Sequence, residues 1–185
     1  MTDKQKFMQE VTVLCDTREQ QNRHIIERFD SWGIDYKTQK LDFGDYSFIA
    51  GNLDFRMSLV VERKGNVNEL WGNCTRDRER FEKEISTMHA ICGASHLIIE
   101  NCKGRECLKS YKVDEQTMQR QHRLVSNIGE HIYSTLAAWG SPNRYALTVH
   151  YAENPAETAG LLLSLFYHEW LNYKEMVKPI TRKGS

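Results

Sequence analysis

The sequence carries no excess of charge of either sign: 25 Lys and Arg stand against 25 Asp and Glu, with seven His besides. A general attraction to nucleic acid or to an anionic membrane is thereby excluded, and any polyanion site must be a local patch. Proline is scarce, at three in 185 residues, and no low-complexity or Gly/Ser-rich stretch divides the chain, so one domain without a linker is expected. No window approaches the roughly 18 apolar residues of a membrane span, and the opening MTDKQKFMQE lacks the apolar run of a secretory signal. The expectation is a soluble, cytoplasmic protein with no membrane partner. The five cysteines, Cys15, Cys74, Cys92, Cys102 and Cys107, are odd in number and without C-x-x-C spacing, which argues against a disulfide framework and a standard zinc module. Cys102, Cys107, His96 and His122 match no zinc spacing either.

What is present suffices for a core, with 40% hydrophobic and 10% aromatic residues. Residues 11–16, VTVLCD, form a β-branched run ending in an acid and predict a buried strand. Ile25, Ile26, Phe29 and Trp32 share a helical face that Gly33 ends. Strands are predicted over 34–41, 45–50 and 57–62, with 51–54 as a hairpin turn, then one helical turn within 65–73. A helix from Arg76 aligns Phe81, Ile85, Met88 and Cys92, and SHLIIE over 95–100 is a strand buried on both sides. Residues 101–113 read as a basic loop. Val125, Ile128, Ile132, Leu136 and Trp139 form a helical stripe, 145–151 returns as a strand, and Asn154-Pro155-Ala156-Glu157 opens a final helix. This order predicts an α/β domain with a mixed β-sheet flanked by helices. Trp71, Trp139, Trp170 and Tyr46 are expected as packing residues.

Three acids close strands or turns: Asp16 after VTVLC, Asp45 after Gly44, and Glu62 after SLVV, with Lys64 two residues on. Strand periodicity puts Glu62 and Lys64 on one face and Arg63 on the other. If Asp45 lies on the neighbouring strand, its carboxylate meets that of Glu62, and two such acids repel unless a cation separates them. Magnesium, with one or two carboxylates completed by water and phosphate oxygens, is the natural filler. Lys64 would then orient or deprotonate an attacking water, or balance charge on the phosphate, in phosphodiester hydrolysis.

Cys15-Asp16-Thr17-Arg18-Glu19, Phe43-Gly44-Asp45-Tyr46 and Val61-Glu62-Arg63-Lys64 occur in this order, and together they resemble the ERCC4-type nuclease domain of the XPF/Mus81 endonucleases. The likeness extends to Arg80-Phe81-x-x-Glu84, to SHLIIE and to the final helix, over roughly 12–173. It implies a restriction-endonuclease-like fold over 11–176, between an N-terminal extension, 1–10, and a flexible tail, 177–185. It also implies Mg2+-dependent cleavage, with Mn2+ as a substitute, of branched or flapped DNA. By the same resemblance Asp16, Asp45 and Glu62 are metal ligands and Lys64 completes the catalytic set, while Arg18, Glu19 and Arg63 support the site. The family pattern ends in an acid where this chain has Asn68, which keeps an oxygen but no charge. The expectation is a stand-alone version, of the kind found in phages and bacteria, without the family's tandem helix-hairpin-helix module or a helicase domain. Two copies are expected to pair, through the helices near Trp139 and Trp170.

For DNA contact the candidates are Arg76 and Arg80, with Arg78 between them, although Asp77, Glu79 and Glu82 make a charge-laced solvent face an equal reading. Residues 103–123 add Lys103, Arg105, Lys109, Lys112, Arg120 and Arg123 against Glu106, Asp114 and Glu115. Two other functions fit the same motifs: a non-catalytic DNA-binding subunit that kept the fold, and a sequence-specific restriction-type endonuclease.

Overall fold

The computed structural model describes residues 1–113 and 127–178. The elements run α1 (Asp3–Glu10), β1 (Val11–Cys15), α2 (Arg23–Trp32), β2 (Asp35–Thr38), β3 (Tyr46–Ala50), β4 (Leu53–Asp54), β5 (Val61–Lys64), α3 (Val67–Cys74), α4 (Arg78–Cys92), β6 (Ser95–Glu100), α5 (Arg105–Lys109), α6 (Ile128–Trp139), β7 (Leu147–Ala152), a 3-10 turn (Pro155–Glu157) and α7 (Thr158–Met176). A seven-stranded sheet has the order β2–β1–β3–β5–β6–β7, with β4 added to β3. β3 is antiparallel to β1 and β5, and the pairs β1–β2, β5–β6 and β6–β7 are parallel. The mixed sheet flanked by helices is thus the fold that the sequence announces. Among the described residues no helix is long and apolar enough to cross a membrane.

Side-chain alternation divides the core between the two faces of the sheet. Val13, Phe48, Val61 and Ile98 pack against α1, α2 and α7, where Phe48 stacks between Phe55 at 4.3 Å and Phe166 at 4.6 Å. Each such ring removed from water stabilises by about 1.5–3 kcal/mol. Leu97, Ile99 and Leu147 face the other way, onto α3, α4 and α6. The helices bearing Trp139 and Trp170, expected to offer a face to a second copy, turn both indoles inward, where they are buried.

Several boundaries differ from the sequence pattern, each for a local reason. The expected extension 1–10 forms α1, closed by a capping box between Thr2 and Gln5, and it buries Phe7 against Tyr167 and Trp170. Phe55 to Leu59 is a turn, because the amides of Ser58 and Leu59 both donate to the Phe55 carbonyl, so the strand expected over 57–62 is β5, Val61–Lys64. α3 is a full helix rather than one turn, since the Asn66 side chain accepts from the Glu69 amide at 2.9 Å. The basic loop contains α5. Asn154 caps a 3-10 turn that leads into α7. Residues 179–185 of the expected tail, and Val125 of the helical stripe, lie outside the described residues.

Candidate active site

Every residue of β5 is buried, and three of the four carry charge. Burial of charge is tolerable only with partners, and the strand sends those partners to opposite faces. Lys64 Nζ donates to Glu62 Oε1 at 2.7 Å on one face. On the other, Arg63 pairs with Glu19 at 2.9 Å and with Glu100 at 2.7 Å. Glu100 also accepts from the Thr158 hydroxyl at 2.5 Å and meets His24 Nε2 at 2.8 Å.

Asp45 reaches this strand through Gly44, whose φ of +66° favours glycine and where a Cβ would stand 2.3 Å from Val60 Cγ1. Its Oδ2 accepts from the Arg63 amide at 2.8 Å. Tyr46, next in sequence, is the register partner of both Cys15 and Val61, so Asp16, Asp45 and Glu62 occupy neighbouring positions across three strands. The Asp16 amide donates to the Asp45 carbonyl at 2.8 Å, and the Asp45 amide to the Val61 carbonyl at 3.0 Å.

The three acids differ in what their oxygens meet. Asp16 is fully buried, and both its oxygens are engaged: Oδ1 accepts from Arg18 Nε at 2.6 Å and the Arg18 amide at 2.8 Å, Oδ2 from the Leu41 amide at 2.6 Å. Burial pushes its carboxyl up, but these bonds outweigh it and hold the acid below the usual carboxylate range. Asp45 goes the other way, raised by burial and then by the charge of Glu62. Glu62 is raised too, by burial first, with Lys64 opposing and Glu84 adding to it. Its Oε2 is buried with no hydrogen-bond partner. Burial works against the Lys64 charge, yet Glu62 prevails and carries the ammonium up to about 12. Lys64 also lies 3.6 Å from Glu69 and 5.1 Å from the centre of the Phe81 ring.

A divalent cation fits two of the expected ligands. An orphaned buried oxygen on Glu62, beside an Asp45 carboxylate that its neighbour repels, is what a hard cation with two carboxylates would relieve. Asp16, expected as the third ligand, instead spends Oδ1 on Arg18 and Oδ2 on the Leu41 amide. Among the described residues no group of three His, Cys, Asp or Glu side chains is arranged to hold a metal.

Sequence reasoning gave Glu84 no role. It reaches the site from α4, where its Oε1 accepts from the Gly44 amide at 3.4 Å and its charge acts on Glu62 and Arg18. The available signal was its place four residues after Arg80 in the family-like segment. Asn68 is exposed and accepts from the Tyr111 hydroxyl at 2.8 Å. Arg76 pairs with Asp77 at 2.9 Å, and Arg80 is exposed on the first turn of α4. Lys103 pairs with Glu153 at 2.5 Å and Lys109 with Glu130 at 3.1 Å, while Arg105 and Lys109 both lie over the Tyr133 ring, at 4.7 and 4.8 Å. Lys112 is exposed. Arg120, Arg123 and His122 lie outside the described residues. His96 contacts His150 at 3.1 Å.

The model of the ERCC4 domain family matches residues 15–165. Comparison with curated protein sequences gives no match. Among solved structures, XPF from Aeropyrum pernix superposes with a TM-score of 0.56 at 20% identity, over 90% of this chain and 73% of that one. The same protein in complex with DNA gives a TM-score of 0.57 at 19% identity, over 91% of this chain and 68% of the other.

Proposed function

Because the chain belongs to the ERCC4 domain family, we propose that it is a divalent-metal-dependent endonuclease that hydrolyses phosphodiester bonds in branched or flapped DNA. The observation that carries this reading is the buried, unpartnered Glu62 Oε2 next to a second carboxylate, Asp45, whose ionisation it opposes. A strand freed from catalysis has no chemical reason to keep such a pair.

Asp45 and Glu62 would hold Mg2+ or Mn2+, which supplies Lewis-acid polarisation of the scissile phosphate when bound. Lys64 Nζ fixes the Glu62 carboxylate through Oε1 and contributes charge facing the phosphate. The Arg18 side chain is 59% exposed while Asp16 orients its Nε, which leaves the outer part of the guanidinium for a phosphate oxygen. Glu19 and Arg63 tie the Asp16–Arg18 loop to β5 from the opposite face. Arg76, Arg80, Lys103, Arg105, Lys109 and Lys112 supply the more distant backbone contacts.

The test is a panel of labelled flap, junction and plain duplex DNA, with Mg2+ or Mn2+, for the wild type and Asp45→Ala. Cleavage confined to branched substrates and lost in the variant is expected. Equal cleavage by both chains removes the assignment, and a recognition site in random duplex would mark a restriction-type enzyme. Absence of Mg2+ binding heat in calorimetry would mark a non-catalytic DNA-binding subunit.

A further inference from the structure

A cavity of about 240 Å³ is lined by residues linked, through one hydrogen bond or two residues of chain, to each of the three acids. Leu41, whose amide donates to Asp16 Oδ2, Phe43, two residues before Asp45, and Val60, two residues before Glu62, form its floor and are buried. Two residues of extended chain span about 7 Å, so the floor lies within one nucleotide of the acids. Lys40, Asp42, Asp54, Arg56 and Met57 form the rim. Arg56 is held by Asp54 through Nε and Nη2, at 2.5 to 3.1 Å, and Met57 is 62% exposed. Arg18 bonds to both a lining residue and an acid, its Nη2 donating to the Leu41 carbonyl at 3.4 Å and its Nε to Asp16 Oδ1 at 2.6 Å.

We propose that this cavity receives one unpaired nucleobase, that of a nucleotide flanking the cleaved phosphate; the proposal rests on the nuclease reading above. The chemistry matches on three counts. The volume falls below that of a typical pocket for a drug-sized ligand, admitting one small planar ring system but no base pair. An apolar floor of Leu41, Phe43 and Val60, with the Met57 thioether at the rim, receives the faces and edges of a base, as in sites that take a base out of its stack. The fixed Asp54–Arg56 pair and Lys40 place donors and acceptors at the mouth. A base held in duplex cannot enter, so the cavity selects for loss of pairing at the cut and gives this chain its own source of branch preference.

The test uses flap DNA in which a reduced abasic residue replaces, in turn, each nucleotide around the cleaved phosphate. Loss of one base adjacent to the cut should lower kcat/KM about tenfold, while abasic residues several nucleotides away leave it unchanged. Met57→Ala, at an exposed position that does not threaten the fold, should slow intact DNA and add no further loss on the DNA abasic at the sensitive position. Equal rates for all abasic positions overturn the subsite while the nuclease stands. A second arm needs no cleavage: a single-stranded oligonucleotide carrying 2-aminopurine, titrated with the wild-type chain in EDTA, should change fluorescence in a manner that Met57→Ala or Phe43→Leu weakens. That result without cleavage of any substrate keeps the subsite and removes the nuclease reading. Unchanged fluorescence together with absent cleavage removes both.

Discussion

The two faces of β5 solve the same problem, buried charge, in opposite ways. On the Arg63 face each charge is answered: Arg63 by Glu19 and Glu100, and Glu100 again by Thr158 and His24. On the Glu62 face the answer is incomplete, with one oxygen orphaned and a second acid raised against it. One strand therefore carries a saturated network and an unsaturated one, separated only by side-chain parity. A saturated network rigidifies, whereas an unsaturated one stores repulsion that a ligand can relieve.

The sharpest way to break this contrast is Asp45→Asn, which keeps an oxygen for the Arg63 amide but removes the opposing charge. Cleavage of flap DNA should fall by about 10³-fold, read in single-turnover assays. Arg63→Met should act on stability instead. It leaves Glu19 and Glu100 buried without their cation, at a cost of about 3–5 kcal/mol, seen as a lower urea midpoint and a Tm lower by about 10 °C.

Metal and pH give the next, smaller effect. For Asp45 and Glu62 the folded state raises the pKa, so it binds more protons than the unfolded chain at pH values above their ordinary 3.8 and 4.5. Stability contributed by these acids is therefore full below those values and falls as pH rises through the folded values. In EDTA, Asp45→Asn should raise Tm by a few degrees at pH 7.5 and hardly at all at pH 4. Mg2+ should raise the wild-type Tm at pH 7.5 and leave the variant's in place. The smallest expected change comes from Arg80→Ala, at an exposed position on the first turn of α4: weaker DNA binding, with the slope of log affinity against log salt reduced by about one.

The local half of this arrangement was legible. Period-two alternation within VERK sets Glu62 and Lys64 against Arg63 without any knowledge of the fold, and three ordered motifs announced the sheet. Glu100 was not legible as a partner of Arg63, because it lies 37 positions further along the chain and only the parallel pairing of β5 with β6 brings them together. The engagement of Asp16 by the Leu41 amide was hidden for the same reason, as strand-end acids look alike until the loop opposite is placed. α1 escaped notice because one buried ring, Phe7, beside only two methionines in a charged and polar decapeptide makes no periodic signal. Glu84 lay in a segment noted for its likeness but had no chemistry attached until α4 brought it to Gly44.

α1 and α7 meet through Phe7 and Trp170 and through the ion pair of Asp3 with Lys174. Elements from opposite ends of the described chain are thus stitched side by side, on the sheet face away from the carboxylates. The backbone is close to a ring in its topology, so it should accept circular permutation, with residues 2 and 178 joined by a linker and new ends opened at the exposed Pro142–Asn143 turn. Such a rewired chain would keep its cluster of carboxylates in place while its points of attachment moved elsewhere.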